Sequence, residues 1–363
     1  MNKPSRRSRG LVTIEDVARD AGVSAMTVSR VINNKKNVRE KTRVAVLEMI
    51  EQLQYTPNSA ARNLAAGETT HIGLLYSNPS AAYLSQLLVG ALIAARRTGC
   101  HLVIEDCEAE TEAEFAEAAR RFASAEVEGV ILPPPLSESH AILSALSAAK
   151  MPVVTIAMGN KYKNALNVCM DDFGAAKQMT EHLIALGHRR IAMIRGQPGV
   201  IATLERERGF RAAAKENGIA ARDLLLEDGQ YTFRSGLTAA ERLIDLTDRP
   251  TAIFAGNDDM AAAAVSVAHR RGLDVPGDIS IVGFDDTDPA TTVWPELTTI
   301  RQPVSEMASA AIETLIEELR NRRRGHEPGH GNKVLAHELI IRRSSGPVPV
   351  RRKSGEGGLP VAI

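Results

Sequence analysis

The sequence predicts an α/β protein in which a small N-terminal helical head precedes a larger body of two subdomains, each a parallel sheet flanked by helices. Three observations predict it. The 363 residues exceed what one hydrophobic core usually organises. Short amphipathic segments separated by turn residues fill the first sixty positions. From His71 onward, apolar runs of strand length alternate with helical stretches, the pattern of parallel sheets covered on both faces.

In the head, TIEDVARDA (13–21) places Ile14, Val17, Ala18 and Ala21 on one helical face, with Thr13 and Asp16 spaced as a capping box. Gly22 supplies a tight turn, and Ser24 can cap a second helix whose inward face is Val28, Val31 and Ile32. Two short helices joined by a glycine-containing turn form a helix-turn-helix. A third helix is expected over 40–53, with Val44, Leu47, Ile50 and Leu53 inward, ended by Tyr55 and Pro57. The resulting division is a basic arm (1–10), the helical head (11–57), an alanine-rich linker (58–69) too short for a stable isolated helix, and the body (70–345). The tail (346–363) combines proline, glycine and charge without periodicity and is expected to be disordered.

In the body, strands are predicted at 71–76, 100–107, 129–135, 152–157, 190–195, 251–256 and 279–284. Helices are predicted at 84–98, 173–187, 205–217, 234–246 and 259–271.

Composition narrows the function. Hydrophobic residues make up 44% and charged residues 24%, an ordinary globular balance that excludes collagen, a coiled-coil rod and wholesale disorder. The three cysteines, Cys100, Cys107 and Cys169, form no C-x-x-C pair and suggest neither a disulfide framework nor a zinc site. No stretch of eighteen apolar residues occurs, and the basic N-terminus lacks the apolar run of a signal peptide, so a cytoplasmic protein without membrane contact is expected. Zero net charge conceals a division: residues 1–67 hold twelve Lys/Arg against six Asp/Glu, and the remainder 32 against 38. A basic head on an acidic body suits a polyanion partner, against the plainer alternative of a solvated surface.

The second helix carries the chemistry such a partner needs. Ala25, Met26, Ser29 and Arg30 fall on its outward face, which would enter a major groove. Arg30 has the fork geometry for guanine, and Ala25 and Met26 can touch a thymine methyl. The hydroxyls of Thr13, Ser24, Thr27 and Ser29 and the amide of Asn33 suit phosphate oxygens.

These segments, VTIEDVARDAGVSAMTVSRVINN and VREKTRVAVLEMIEQLQYTPNSAARNLA, resemble the DNA-binding head of the LacI/GalR family of bacterial transcription regulators. The resemblance continues in order through TEHLIALGHRRIAMIRG (180–196), RERGFRAA (206–213), AIFAGNDDMAAAAV (252–265), DISIVGFDD (278–286) and ELTTIRQP (296–303). It implies a three-helix head, a hinge helix and a body similar to periplasmic sugar-binding proteins, acting as a homodimer on a pseudo-palindromic double-stranded DNA operator. It makes Ala25, Met26 and Arg30 the base readers and Leu64 an apolar wedge in the minor groove. It also places Arg206, Asn257, Asp285 and Gln302 in a cleft for a small sugar-like effector, with Tyr83 and Trp294 as candidate stacking rings.

Physical reasoning points to the same cleft, because ligands of open parallel sheets bind beyond the carboxyl ends of strands. Asn78, Tyr83, Asp171, Asp172, Asn257 and Asp285 all follow such ends and suit vicinal hydroxyls. Asp258 is expected to cap the next helix and Asp286 to serve a turn. Two departures from the family pattern bear on the effector. Ala157–Met158 stand where many members have an aspartate, and SNPSAAYLSQ (77–86) is about three residues longer than usual.

Enzyme chemistry finds no purchase. The P-loop, dinucleotide fingerprint and nucleophile elbow are all absent, and Pro328–Gly329 deny His326, Glu327 and His330 the helix a zincin needs. The expectation is therefore a regulator with no cofactor, no metal and no catalytic residue, a repressor of carbohydrate-utilisation genes under allosteric control. The competing readings are the same family answering to a co-repressor or a protein partner, a sugar-binding protein, and a sugar-acting enzyme built on Asp171 and Asp172.

Overall fold

The computed structural model describes residues 12–32, 38–53, 70–109, 111–157 and 166–348. The chain divides between Glu68 and Thr69 into a head and a body. The arm, Asn33, the linker with Leu64, Met158 and the tail beyond Val348 lie outside the described residues.

Three helices build the head: α1 (Ile14–Asp20), α2 (Ala25–Ile32) and α3 (Glu40–Gln52). The capping box opens α1, Thr13 Oγ1 accepting from the Asp16 backbone while the Asp16 carboxylate accepts from the Thr13 backbone. Gly22 turns the chain at φ +68°, a conformation that favours glycine. Ser24 then accepts from Thr27 N at 3.2 Å, closing the first turn of α2. The core consists of Val17, Ala18, Val28, Val31 and Val46. One expectation is corrected here: Val44 and Leu47 are exposed, and α3 instead packs through Val46, with Met49, Ile50 and Leu53 partly buried beside it. Positions 46, 49, 50 and 53 follow the i, i+3, i+4, i+7 stripe, so the inward face is rotated from the one first read.

The body's first subdomain is a six-stranded parallel sheet of order β11-β5-β4-β3-β1-β2. Its strands are β1 (His71–Tyr76), β2 (His101–Asp106), β3 (Gly129–Leu132), β4 (Val153–Ile156), β5 (Leu166–Met170) and β11 (Gly331–Leu335). The helices of this half are α4 (Ala81–Thr98), α5 (Glu112–Ser124), α6 (His140–Ala148) and the twenty-residue α12 (Val304–Arg323). The second sheet is also parallel, of order β7-β6-β8-β9, with β6 (Ile191–Arg195), β7 (Leu224–Asp228), β8 (Ala252–Ala255) and β9 (Ser280–Val282). Around it lie α7 (Asp172–Ala185), α8 (Ile201–Glu216), α9 (Phe233–Ile244), α10 (Asp258–Arg270) and the short α11 (Asp288–Thr292).

The chain passes between the subdomains three times: from β5 to β6, from β9 to α12, and after β11. The last two passages are stitched together, β10 (Thr299–Arg301) pairing antiparallel with β12 (Glu338–Ile340). Separate apolar clusters fill the far faces, one under α5 and α6 and one under α9 and α10. The largest cluster holds residues of the first sheet and of α4, α7, α8 and α12, together with the second sheet's Met193 and Phe254 and with Phe284 just past β9.

The expected start of the tail also shifts. Gly346 N donates to Ser280 Oγ at 3.1 Å and Val348 N to Leu186 O at 2.9 Å, so the body holds at least three residues more than the proline- and glycine-rich composition suggested.

Candidate functional site

The head presents part of the face that its sequence predicted: Met26 and Arg30 stand outward, Ser29 is half-buried, and Ala25 does not face outward as expected. Met26 is 64% exposed, Arg30 is exposed, and the Arg30 guanidinium lies 3.4 Å from Met26 Sδ, one turn away. Ala25, at the start of α2, is half-buried against the head's core. Thr13 and Ser24 are both capping groups, and Thr27 Oγ1 lies 2.9 Å from Ser24 Oγ. Their hydroxyls therefore sit at the N-termini of α1 and α2, where backbone N–H groups also point outward and anions are favoured.

In the body, the carboxyl ends of strands from both sheets face one cleft, partly open to solvent, that leaves about 50 Å³ accessible to a water-sized molecule. Asn78, Ser80 and Tyr83 reach it after β1, Pro134 after β3 and Ala157 after β4. From the other side come Val200, Ala202 and Arg206 of α8 and its start, Tyr231 after β7 and Asn257 after β8. Asp285 and Gln302 enter from the passages between the subdomains.

An ionic cluster occupies the floor. Arg206 Nε donates to Asp172 Oδ1 at 2.8 Å, its Nη1 donates to Gly256 O at 2.7 Å, and the guanidinium stacks 3.6 Å from the Phe284 ring centroid. Burial opposes the charge on Arg206, but the Asp172 and Asp285 carboxylates outweigh it and keep the guanidinium firmly protonated. Gln302 Nε2 donates to Asp285 Oδ1 at 2.7 Å, and Arg206 Nη1 lies 3.9 Å from the same oxygen. Burial nevertheless dominates at Asp285 and pushes its carboxyl up to about 7, with Arg206 and Gln302 pulling the other way.

Neighbouring polar groups position this cluster. Asn257 caps α10, accepting from Met260 N at 3.1 Å, and its Nδ2 donates to Tyr231 O at 3.0 Å. The Tyr231 hydroxyl lies 2.6 Å from Thr203 Oγ1. Gly196 leaves the space that the Tyr231 ring fills, since a Cβ there would fall 1.9 Å from Tyr231 Cζ. Two contacts bridge the cleft: Ser80 Oγ donates to Asp259 Oδ2 at 2.8 Å, and the Glu138 carboxylate accepts from Ile201 N at 2.9 and 3.1 Å. Glu138 thereby caps α8, whose own N-cap residue Val200 offers no side-chain bond. Strain gathers here too. Of five described non-glycine residues with positive φ, Ala157 (57°), Tyr231 (57°) and Asp285 (108°) line the cleft.

Six expected effector residues are thus brought together: Asn78, Tyr83, Arg206, Asn257, Asp285 and Gln302. Two are not. Asp171 turns outward to cap α7, accepting from Gly174 N at 2.9 Å, and its neighbour Asp172 enters the cluster instead. Trp294 is 66% exposed, lies 5.5 Å from the Arg343 guanidinium and does not line the cleft. Asp258 departs from its expected role as well: Asn257 is the cap, and Asp258 is buried, accepting from Thr287 N at 2.8 Å, Thr287 Oγ1 at 3.1 Å and Thr299 Oγ1 at 2.7 Å. Asp286 occupies a turn at φ 57° and pairs with Arg301 at 2.8 Å and Arg342 at 2.6 Å. The wall residues Ser80, Pro134, Val200, Ala202 and Tyr231 were not anticipated. Tyr231 could have been found by reading LLLED (224–228) as a strand, which puts Tyr231 just past a carboxyl end.

Among the described residues no group of three or more His, Cys, Asp or Glu side chains is placed to hold a metal, and no helix is long and apolar enough to cross a membrane.

Comparison with known proteins matches residues 13–58 to the bacterial regulatory proteins of the lacI family and residues 180–345 to a periplasmic binding protein-like domain. The chain is 35% identical over 341 residues to the HTH-type transcriptional regulator DegA of Bacillus subtilis, covering 93% of this chain and 98% of that protein. Among solved structures, the transcriptional regulator CelR in complex with cellobiose is 29% identical with a TM-score of 0.70, covering 92% of this chain and all of that one. The Lac repressor dimer bound to operator and the anti-inducer ONPF is 27% identical with a TM-score of 0.68, covering 93% of this chain and all of that one. A basic helix-turn-helix head joined to a two-subdomain body, matched along nearly the whole length of such relatives, makes this chain a member of the LacI family of bacterial DNA-binding transcriptional regulators and not an enzyme.

Proposed function

We propose that the protein is a homodimeric repressor of carbohydrate-utilisation genes whose grip on a pseudo-palindromic operator is set by a small sugar-like effector in the body's cleft. The observation that carries the effector half is the cleft itself. Its polar groups come from both subdomains and from the passages between them, so a polyhydroxylated ligand held by Arg206, Asn257, Asp285 and Gln302 has different contacts in open and closed arrangements. A ligand shifts a conformational equilibrium only through such a difference in affinity.

In the head, Arg30 reads a guanine edge while Ala25 and Met26 make apolar contact. Thr13, Ser24, Thr27, Ser29 and Asn33 hold phosphates, and Leu64 wedges the minor groove. Self-association is supported by the outer face of α4, where Val89, Leu92 and Ile93 are each at least 50% exposed on one apolar stripe.

Duplexes selected from a randomised pool, followed by gel shifts with and without a panel of sugars, test the whole reading. The expected result is an enriched inverted repeat whose affinity falls roughly four decades over a fourfold rise in salt, for about eight neutralised phosphates, and changes when one of the sugars is added. Recovery of no inverted repeat, or indifference to every sugar, contradicts it.

A further inference from the structure

Three described side-chain groups are buried without a hydrogen-bond partner: the Tyr83 hydroxyl, Ser137 Oγ and Arg195 Nε. Only Tyr83 lines the effector cleft. Its ring is fixed. Tyr83 sits in the first turn of α4 with its backbone N–H bonded to Ser80 Oγ at 3.3 Å, and its side chain belongs to the largest core cluster. Ser80 is itself tied across the cleft to Asp259. A phenol held this way cannot swing to find another partner, and an unmet buried hydroxyl is costly. Burial also raises its pKa far out of the physiological range, so it stays a hydroxyl able to donate.

The cleft's charge points the same way. Among the described lining residues Arg206 is the only cation, and its guanidinium is already engaged by Asp172, by Gly256 O and by the face of Phe284. Asp285 adds a second carboxylate 3.9 Å from that guanidinium. A phosphate or carboxylate brought into the cleft would meet a guanidinium already paired with one carboxylate and flanked by a second. The rest of the lining includes Pro134, Ala157, Val200 and Ala202, which offer an anion no donor side chain.

We infer that the effector is an uncharged sugar and that the Tyr83 hydroxyl is a specificity-determining contact that donates to one of its oxygens. The inference rests on the proposed sugar-binding role of this cleft and sharpens it to a charge class and a named hydrogen bond.

The test uses the intact chain and its Tyr83→Phe variant, with thermal melting and titration calorimetry. Probes are glucose, galactose, mannose, ribose, methyl β-glucoside and cellobiose, together with glucose 6-phosphate and glucuronate as charged counterparts. Without any probe, Tyr83→Phe is expected to melt at the same temperature as the parent or higher, because no internal hydrogen bond is lost. A fall of several degrees would show that the protein itself satisfies the hydroxyl and would overturn the assignment whatever the effector is. With probes, at least one neutral sugar is expected to bind the parent, and Tyr83→Phe to weaken it about tenfold, the loss typical of one hydrogen bond in a closed site. Tighter binding of glucose 6-phosphate or glucuronate than of every neutral probe overturns the charge assignment. Equal affinity of parent and variant for the neutral sugar overturns the Tyr83 contact. Binding of no probe at all instead defeats the underlying sugar reading, even if the probe-free melting behaves as expected.

Discussion

In the head, Met26 is 64% exposed and Arg30 is exposed, above a core of five buried side chains among the described residues. In the body, Arg206, Asn257, Asp285 and Gln302 are each at most 5% exposed and lie amid a far larger core. The contrast fits the ligands proposed for the two sites. DNA is a rigid, charged surface larger than the head, so its readers must stand in water and lose hydration only on docking. A small molecule is enclosed, so its readers must be out of water beforehand, and every charge among them needs a partner in the empty protein. The head's site therefore costs little to build and relies on a scaffold that is easily broken. The body's site costs much to build and relies on internal pairing.

The largest expected effect breaks that pairing. Asp172→Ala leaves the Arg206 guanidinium buried without its 2.8 Å partner and is expected to destabilise the body by about 3–5 kcal/mol, read as a fall in melting temperature. A loss under 1 kcal/mol would mean that Asp285 or solvent takes over the role. Val46→Ala strikes the other scaffold. Emptying this fully buried core position is expected to cost the head about 2 kcal/mol, abolishing DNA binding while sugar titrations of the body stay unchanged. Parallel loss of both activities would deny that the head and body fold as separate units.

A subtler comparison uses pH. Asp285 has its folded pKa, about 7, above the ordinary carboxylate value of about 3.9. The stability it contributes is therefore complete below about pH 4 and is lost as pH rises through 7. A sugar hydroxyl that donates to Asp285 favours the ionised form, so effector affinity is expected to rise by about tenfold from pH 5.5 to 8.5 if binding lowers that pKa by one unit. In Asp285→Asn the slope should vanish. A parent affinity independent of pH would mean that the effector does not bond to this carboxylate.

How far these sites were legible in the sequence follows from the same contrast. The outward face of α2 was visible because amphipathic periodicity separates inward from outward residues on a short helix, as with Val28 and Val31 against Met26 and Arg30. It failed at α3, where Val44 and Leu47 competed with the true stripe of Val46, Met49, Ile50 and Leu53, and only packing against α1 and α2 decides between them. In the body, the rule that ligands gather beyond strand ends found the cleft, but adjacent residues at one end have opposite fates. Asp171 caps α7 and Asp172 meets Arg206, a difference set by a single step of helical rotation. Trp294 misled because an aromatic ring suits a sugar face equally well wherever the fold puts it. Strand β7 and helix α12 were not predicted although Gly229 follows the one and Pro303 and Gly325 bracket the other, and with β7 went Tyr231.

In the proposed function, α2 of the head reads DNA sequence through Arg30. The most direct measurement compares the parent chain with Arg30→Ala on the duplex enriched from a randomised pool and on unselected DNA of equal length. The account predicts a loss of about 1–3 kcal/mol per half-site on the enriched duplex, with preference relaxed at one base pair, and little change on unselected DNA. Failure of the parent chain to enrich any duplex at low ionic strength, or an equal loss on both DNAs, would contradict it.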